Sequence, residues 1–262
     1  MNIFDALILG FVQGITEFLP VSSSGHLVMG QTLLDIRIPG VAFEVAVHVA
    51  TLLSVLIVFR KRVMELASGA FKRDPQAWRY LGLLALATLP AVVVGLGAKD
   101  FLEGLFEAPE VVAGALLVTG TFLWTSRGAM ARDPKGKPGL RAALVMGLAQ
   151  AFAIIPGISR SGATVVAGLW LGVEAEEAAT FSFLMAVPAI LGAAVLQLPD
   201  LAGGSQSLDV GPLIMGSVVA AVAGILAIWT FVVMLKRKLF HRFAPYCWGV
   251  GGLFLLYLLS RG

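Results

Sequence analysis

Six apolar runs, at residues 42–59, 80–98, 110–126, 177–198, 211–235 and 245–260, are each long enough to cross a bilayer, roughly 16 to 25 residues apiece. In hydrocarbon no water satisfies a free backbone N–H or C=O, so each crossing has to be a helix that closes its own hydrogen bonds. With 58% apolar and 13% charged residues, the chain reads as an all-α membrane protein, a single integral membrane domain over residues 1–262. The opening stretch "MNIFDALILG" lacks a basic leader and a small-residue cleavage site, so it is expected to belong to the fold. Cys247 has no second cysteine to pair with, and a net charge of +3 is too small to suggest a nucleic-acid partner.

Two further apolar segments, 3–34 and 142–172, do not fit the span count. "LPVSSSGH" interrupts the first and "IPGISRSG" the second, leaving two half-length helices in each. These are expected to be re-entrant. The loops 60–79, 127–141 and 236–244 then share one side of the membrane, while 99–109, 199–210 and both termini share the other. Fifteen of the nineteen Lys and Arg residues fall in the first set, against three on the second side: Lys99, Arg261 and Arg37, which lies between the first broken segment and the first span. The excess of basic residues in cytoplasmic loops puts both termini outside. Basic stretches such as "FRKRV" and "LKRKLFHR" therefore read as topology signals and contacts to lipid headgroups.

The broken segments also match one another. "ALILGFVQGITEFLPVSSSGH" and "ALVMGLAQAFAIIPGISRSGA" share G-x-x-Q, a proline and Ser-Gly, and each is followed by three spans. An odd number of crossings inverts the second copy. The expected architecture is thus an inverted-topology repeat of 1–126 and 140–262, joined by the basic cytoplasmic loop 127–141, with the two tips meeting near the midplane.

At such tips the serines can cap the second half-helix, whose exposed N–H groups and dipole favour an anion. Arg160, the one basic residue inside a broken segment, offers a planar fork for phosphate oxygens at a depth where an unpaired charge is costly. Gln13 and Glu17, four residues apart on one helix face, can hold a hard divalent cation. His26 is the candidate proton carrier. Glu44 and His48 on the next span either approach this site or bond to one another, whereas Glu174, Glu176 and Glu177 read as a solvated helix start.

The two motifs "QGITEFLPVSSSGH" and "PGISRSGAT" resemble the signatures of the undecaprenyl-pyrophosphate phosphatases of the bacitracin-resistance type, and the likeness in span count and chain size covers the full length. That resemblance implies a bacterial inner-membrane enzyme converting a polyprenyl diphosphate to the monophosphate and inorganic phosphate. It also implies a magnesium or calcium cofactor held by Glu17 and Gln13; many members carry Glu where this chain has Gln13. Catalysis is expected from Ser23, His26, Glu17 and Arg160, with Ser23 or His26 as nucleophile. Phosphate would be bound by Ser22, Ser24, Gly25, Ser159, Ser161, Gly162 and Thr164. The expected partners are the lipid substrate and membrane lipids, with room for a homodimer. Broken helices in inverted repeats also build secondary transporters, so the alternative is a secondary transporter or flippase for an anionic or phospho-lipid substrate.

Overall fold

In the computed structural model, which describes residues 2–34, 40–197 and 210–261, the apolar runs fold as helices. The first broken segment is α1 (Ile3–Phe18) and α2 (Ser23–Leu34). It is followed by α3 (Gly40–Val58), α4 (Arg60–Phe71), α5 (Pro75–Gly97), α6 (Lys99–Phe106) and α7 (Pro109–Ala131). The second broken segment is α8 (Leu140–Phe152) and α9 (Arg160–Trp170), followed by α10 (Ala175–Leu196), α11 (Val210–Lys236) and α12 (Phe243–Leu259). No half of a broken segment exceeds 16 residues, about 24 Å at 1.5 Å per residue, which falls short of a hydrocarbon core of about 30 Å.

Helices occupy all six expected spans. Among the described residues, four stretches are long and apolar enough to cross by themselves: α5, α10, α11, and α12 with the short 3-10 turn before it. Most of their residues are not buried inside the protein, which suits a chain solvated by lipid tails. The 23-residue α7 has the length, but Thr119, Thr121, Thr125, Ser126 and Arg127 dilute its apolar character. α3 continues into α4 through an 81° bend. Two stretches expected as loops, 60–79 and 99–109, contain helices. α4 forms because Val63 and Leu66 turn inward while Arg60 and Lys61 stay exposed, and Asp74 then caps α5 by accepting from the Gln76 and Ala77 backbone N–H groups. The expected loop 199–210 and Arg37 lie outside the described residues.

Packing partners are exchanged between the halves of the chain. α1 lies along α11 of the second half, and α8 lies along α5 of the first. Matching glycines permit both contacts: a side chain at Gly10 would collide with the Gly216 carbonyl, and one at Gly147 with the Ala87 carbonyl. α3 and α10 touch each other, as do α7 and α12, closing the bundle around the two breaks.

The basic segments gather at one end. Lys238 reaches Asp133 at 3.1 Å, Lys236 reaches Glu176 at 3.0 Å, and Gly136 exchanges backbone bonds with Gly172 and Glu174. Lys238 beside the exposed Asp133 holds that carboxyl below its ordinary range. Glu176 is therefore paired with a cation as well as solvated.

Candidate active site

Each break ends its first half-helix near a proline and restarts with a serine cap, and the two caps are built alike. Ser22 Oγ accepts from the Gly25 N–H and Ser159 Oγ from the Gly162 N–H, both at 3.2 Å. Ser22 also touches Ser24, and Ser159 touches Ser161, again at 3.2 Å in both. This correspondence sets Ser22 opposite Ser159, Ser24 opposite Ser161 and Gly25 opposite Gly162. Ser23 and Arg160 are thus equivalent positions. Each turn also contains a left-handed residue, Ser22 at φ 70° and Gly157 at φ 97°. For a serine this conformation costs about 1–2 kcal/mol, so the chain tolerates strain in the turn beside Ser23.

The tips meet. Gly25 packs on Gly157, Gly162 packs on Pro20, and Ser161 Oγ donates to the Leu19 carbonyl at 3.5 Å. Thr119 of α7 steadies the second turn, donating to the Gly157 carbonyl at 2.8 Å and accepting from the Ser159 N–H at 3.1 Å.

Glu17 stands where these parts converge, with its side chain 8% exposed. Arg160 Nη2 donates to Oε1 at 3.0 Å, while Ser23 Oγ donates to Oε2 at 2.9 Å and Gln13 Nε2 to the same oxygen at 3.2 Å. The equivalent positions of the two turns therefore place a hydroxyl and a guanidinium on one carboxylate. Arg160 Nη1 is buried with no partner among the described residues, as is Gln13 Oε1. An unpartnered guanidinium N–H beside a hydroxyl suits a phosphate oxygen. An unpartnered amide oxygen beside a carboxylate suits a hard divalent cation, so the donor set on α1 fits magnesium or calcium.

His26 is engaged by other partners. Its Nδ1 donates to the Ser22 carbonyl at 2.8 Å, which leaves Nε2 of the neutral ring as acceptor for the Tyr246 hydroxyl at 2.7 Å. Both ring nitrogens are engaged, and the group that takes the Ser23 hydrogen bond is Glu17. Tyr246 sits in an apolar run 220 residues away, and no local signal marks it. His48 of α3 does approach the hub, with Nε2 3.9 Å from Glu17 Oε2.

Thr164, expected on phosphate, is fully buried behind the second turn. Its hydroxyl donates to the Arg160 carbonyl at 2.7 Å and meets Ser182 Oγ at 2.6 Å. It braces the turn that carries Arg160. Ser22, Ser159 and Ser161 are also buried, with their hydroxyls occupied by caps and by each other, so they shape the tips, whereas Ser23 and Ser24 are partly open.

Residues 6–253 match the family described as Bacitracin resistance protein BacA. The chain is 40% identical over 270 residues to the undecaprenyl-diphosphatase of Desulforapulum autotrophicum, with 96% of each chain covered. It is 40% identical over 260 residues to that of Syntrophotalea carbinolica, covering 97% of this chain and 98% of the relative. It is 43% identical over 243 residues to that of Alcanivorax borkumensis, covering 90% and 92%.

Proposed function

The chain belongs to the Bacitracin resistance protein BacA family, and from that premise we infer that it is an undecaprenyl-diphosphatase, a hydrolase that removes the terminal phosphate of the lipid carrier. The observation that carries the reading is the convergence of Ser23 and Arg160 on Glu17.

Ser23 Oγ, held at 2.9 Å, gives its proton to Glu17 Oε2 and attacks the terminal phosphorus. A Ser–O–P bond forms as the bridging P–O bond breaks, and undecaprenyl monophosphate leaves. The unpartnered Nη1 of Arg160 holds an oxygen of the transferring group, and the N-terminal end of α2 adds the positive end of its helix dipole. Water then cleaves the phosphoserine and releases inorganic phosphate. Gln13 and Glu17 would hold a magnesium or calcium ion, which when bound supplies neutralisation of the diphosphate oxygens. His26, tied to Tyr246 and the Ser22 carbonyl, orients the start of α2 in this reading; Ser23 is the nucleophile. A carrier or flippase would need the anion-binding groups but not a hydroxyl held on a carboxylate.

The direct test is phosphate release from undecaprenyl diphosphate by purified protein, with and without chelator. Release that stops with EDTA and returns with magnesium or calcium is expected. No release in any cation would remove the hydrolytic reading.

The protein is a multi-pass membrane protein, and we place it in the bacterial inner membrane with the basic end cytoplasmic and both termini outside. The exchange of α1 and α8 between halves supports the inverted repeat of 1–126 and 140–262. A cysteine placed at Gly104 is then expected to react with an impermeant maleimide on intact spheroplasts, and one at Gly136 only after permeabilisation. The reverse pattern would invert the topology.

A further inference from the structure

The hub contains a nitrogen that takes no part in the attack by Ser23. His48 Nδ1 lies 2.8 Å from the Glu44 backbone carbonyl, an oxygen that can only accept, so Nδ1 carries the proton. In the neutral ring Nε2 therefore presents a lone pair. It faces Glu17 Oε2 at 3.9 Å, too far for a hydrogen bond and farther than the 2.7–2.9 Å at which a charged pair closes. Two electron-pair donors thus stand 3.9 Å apart, a separation that two ligands of one cation can keep, and Gln13, whose Nε2 bonds the same Glu17 oxygen, has a buried Oε1 with no partner among the described residues.

A direct imidazolium–carboxylate pair is the competing explanation, and the 3.9 Å separation argues against it. Glu17 already has Arg160 at 3.0 Å and accepts two further hydrogen bonds. What the site lacks is positive charge for an arriving diphosphate, which brings two to three negative charges against the single one of Arg160. A neutral imidazole that helps hold a divalent cation meets that need and adds no competing negative charge.

We propose that His48 is a ligand of the divalent cation, completing with the Glu17 carboxylate and Gln13 Oε1 a three-residue site shared between α1 and α3. The proposal rests on reading Glu17 as a cation-binding carboxylate. The donor set also fixes a preference among cations: an imidazole nitrogen favours manganese or zinc over calcium, relative to a site of oxygens alone. His48 would compensate in affinity for the amide that stands at position 13 in place of a second carboxylate.

Manganese(II) bound to the purified protein in detergent provides a readout that does not involve turnover. Pulsed electron spin-echo spectra of the wild type are expected to show imidazole nitrogen coupling to manganese, altered by selective 15N-histidine labelling. The chain has three histidines, so the coupling is assigned by variants: it should vanish in His48→Gln and persist in His26→Gln. Manganese affinity should fall about 10-fold or more in His48→Gln, while calcium affinity falls less. Manganese that binds wild type without nitrogen coupling, yet is lost in Glu17→Ala, would overturn the role of His48 and leave Glu17 as the cation carboxylate. Coupling that survives in His48→Gln would overturn it too. Manganese binding that is insensitive to Glu17→Ala would overturn both readings at once.

Discussion

Glu17→Gln is expected to lower turnover of undecaprenyl diphosphate by about 10³-fold or more, combining the loss of a base for Ser23 with the loss of a charged oxygen for the cation. The substitution keeps the shape of the side chain. An amide oxygen can still accept from Arg160, but the other end becomes an NH₂ that cannot accept from Ser23 Oγ or Gln13 Nε2, both of which now donate to Oε2. It also leaves Arg160, 15% exposed, without its counter-charge, and breaking a buried pair from one side costs about 3–5 kcal/mol. The thermal midpoint in detergent should therefore fall as well. The two effects separate in Glu17→Gln/Arg160→Gln, which removes the uncompensated charge: its midpoint should recover most of the loss, while turnover stays at the level of the single variant or below. Single-turnover phosphate release and a thermofluor melt on the three proteins check this. A Glu17→Gln enzyme that keeps its wild-type rate would leave Ser23 without its base and the cation without its carboxylate.

Arg160→Lys should lose about 10²-fold or more in rate, nearly as much as Arg160→Ala, although it keeps the charge. The guanidinium uses its two terminal nitrogens differently. Nη2 holds Glu17 at 3.0 Å, and Nη1 is buried with no partner among the described residues, available to an oxygen of the substrate. A lysine ammonium is a single point that can stay with Glu17 or move to phosphate, but cannot span both with the same rigid fork. Because the contact strengthens as charge develops on the transferring phosphoryl group, the rate should fall more than substrate affinity does. Rate constants and affinities for wild type, Lys and Ala variants at saturating cation give the split. A lysine variant near wild type would reduce Arg160 to an attractive charge and remove the two-point clamp.

Much of this site is legible in the sequence because its signals are local. Proline and serine clusters break two apolar runs at Pro20 and Pro156, Ser22 and Ser159 cap the half-helices beyond them, and the repeat relation itself makes Ser23 and Arg160 counterparts. Apolar length fixes where α3, α5, α7, α10, α11 and α12 lie, since a backbone in lipid has few alternatives to a helix. α4 escaped this reading because its inward face is only a few side chains wide between exposed basic ones. Which groups meet was decided by the tertiary structure alone. Ser23 could equally have served His26, and the sequence leaves both open; the three-dimensional arrangement gives Ser23 to Glu17, turns His26 toward Tyr246, and brings His48 of α3 to the same carboxylate. It also gives the Thr164 hydroxyl to the Arg160 carbonyl and Ser182. The reason is range: caps, breaks and span lengths depend on neighbours within a few residues, whereas Glu17 meets Arg160 across 143 residues and His26 meets Tyr246 across 220, through the exchange of helices between halves.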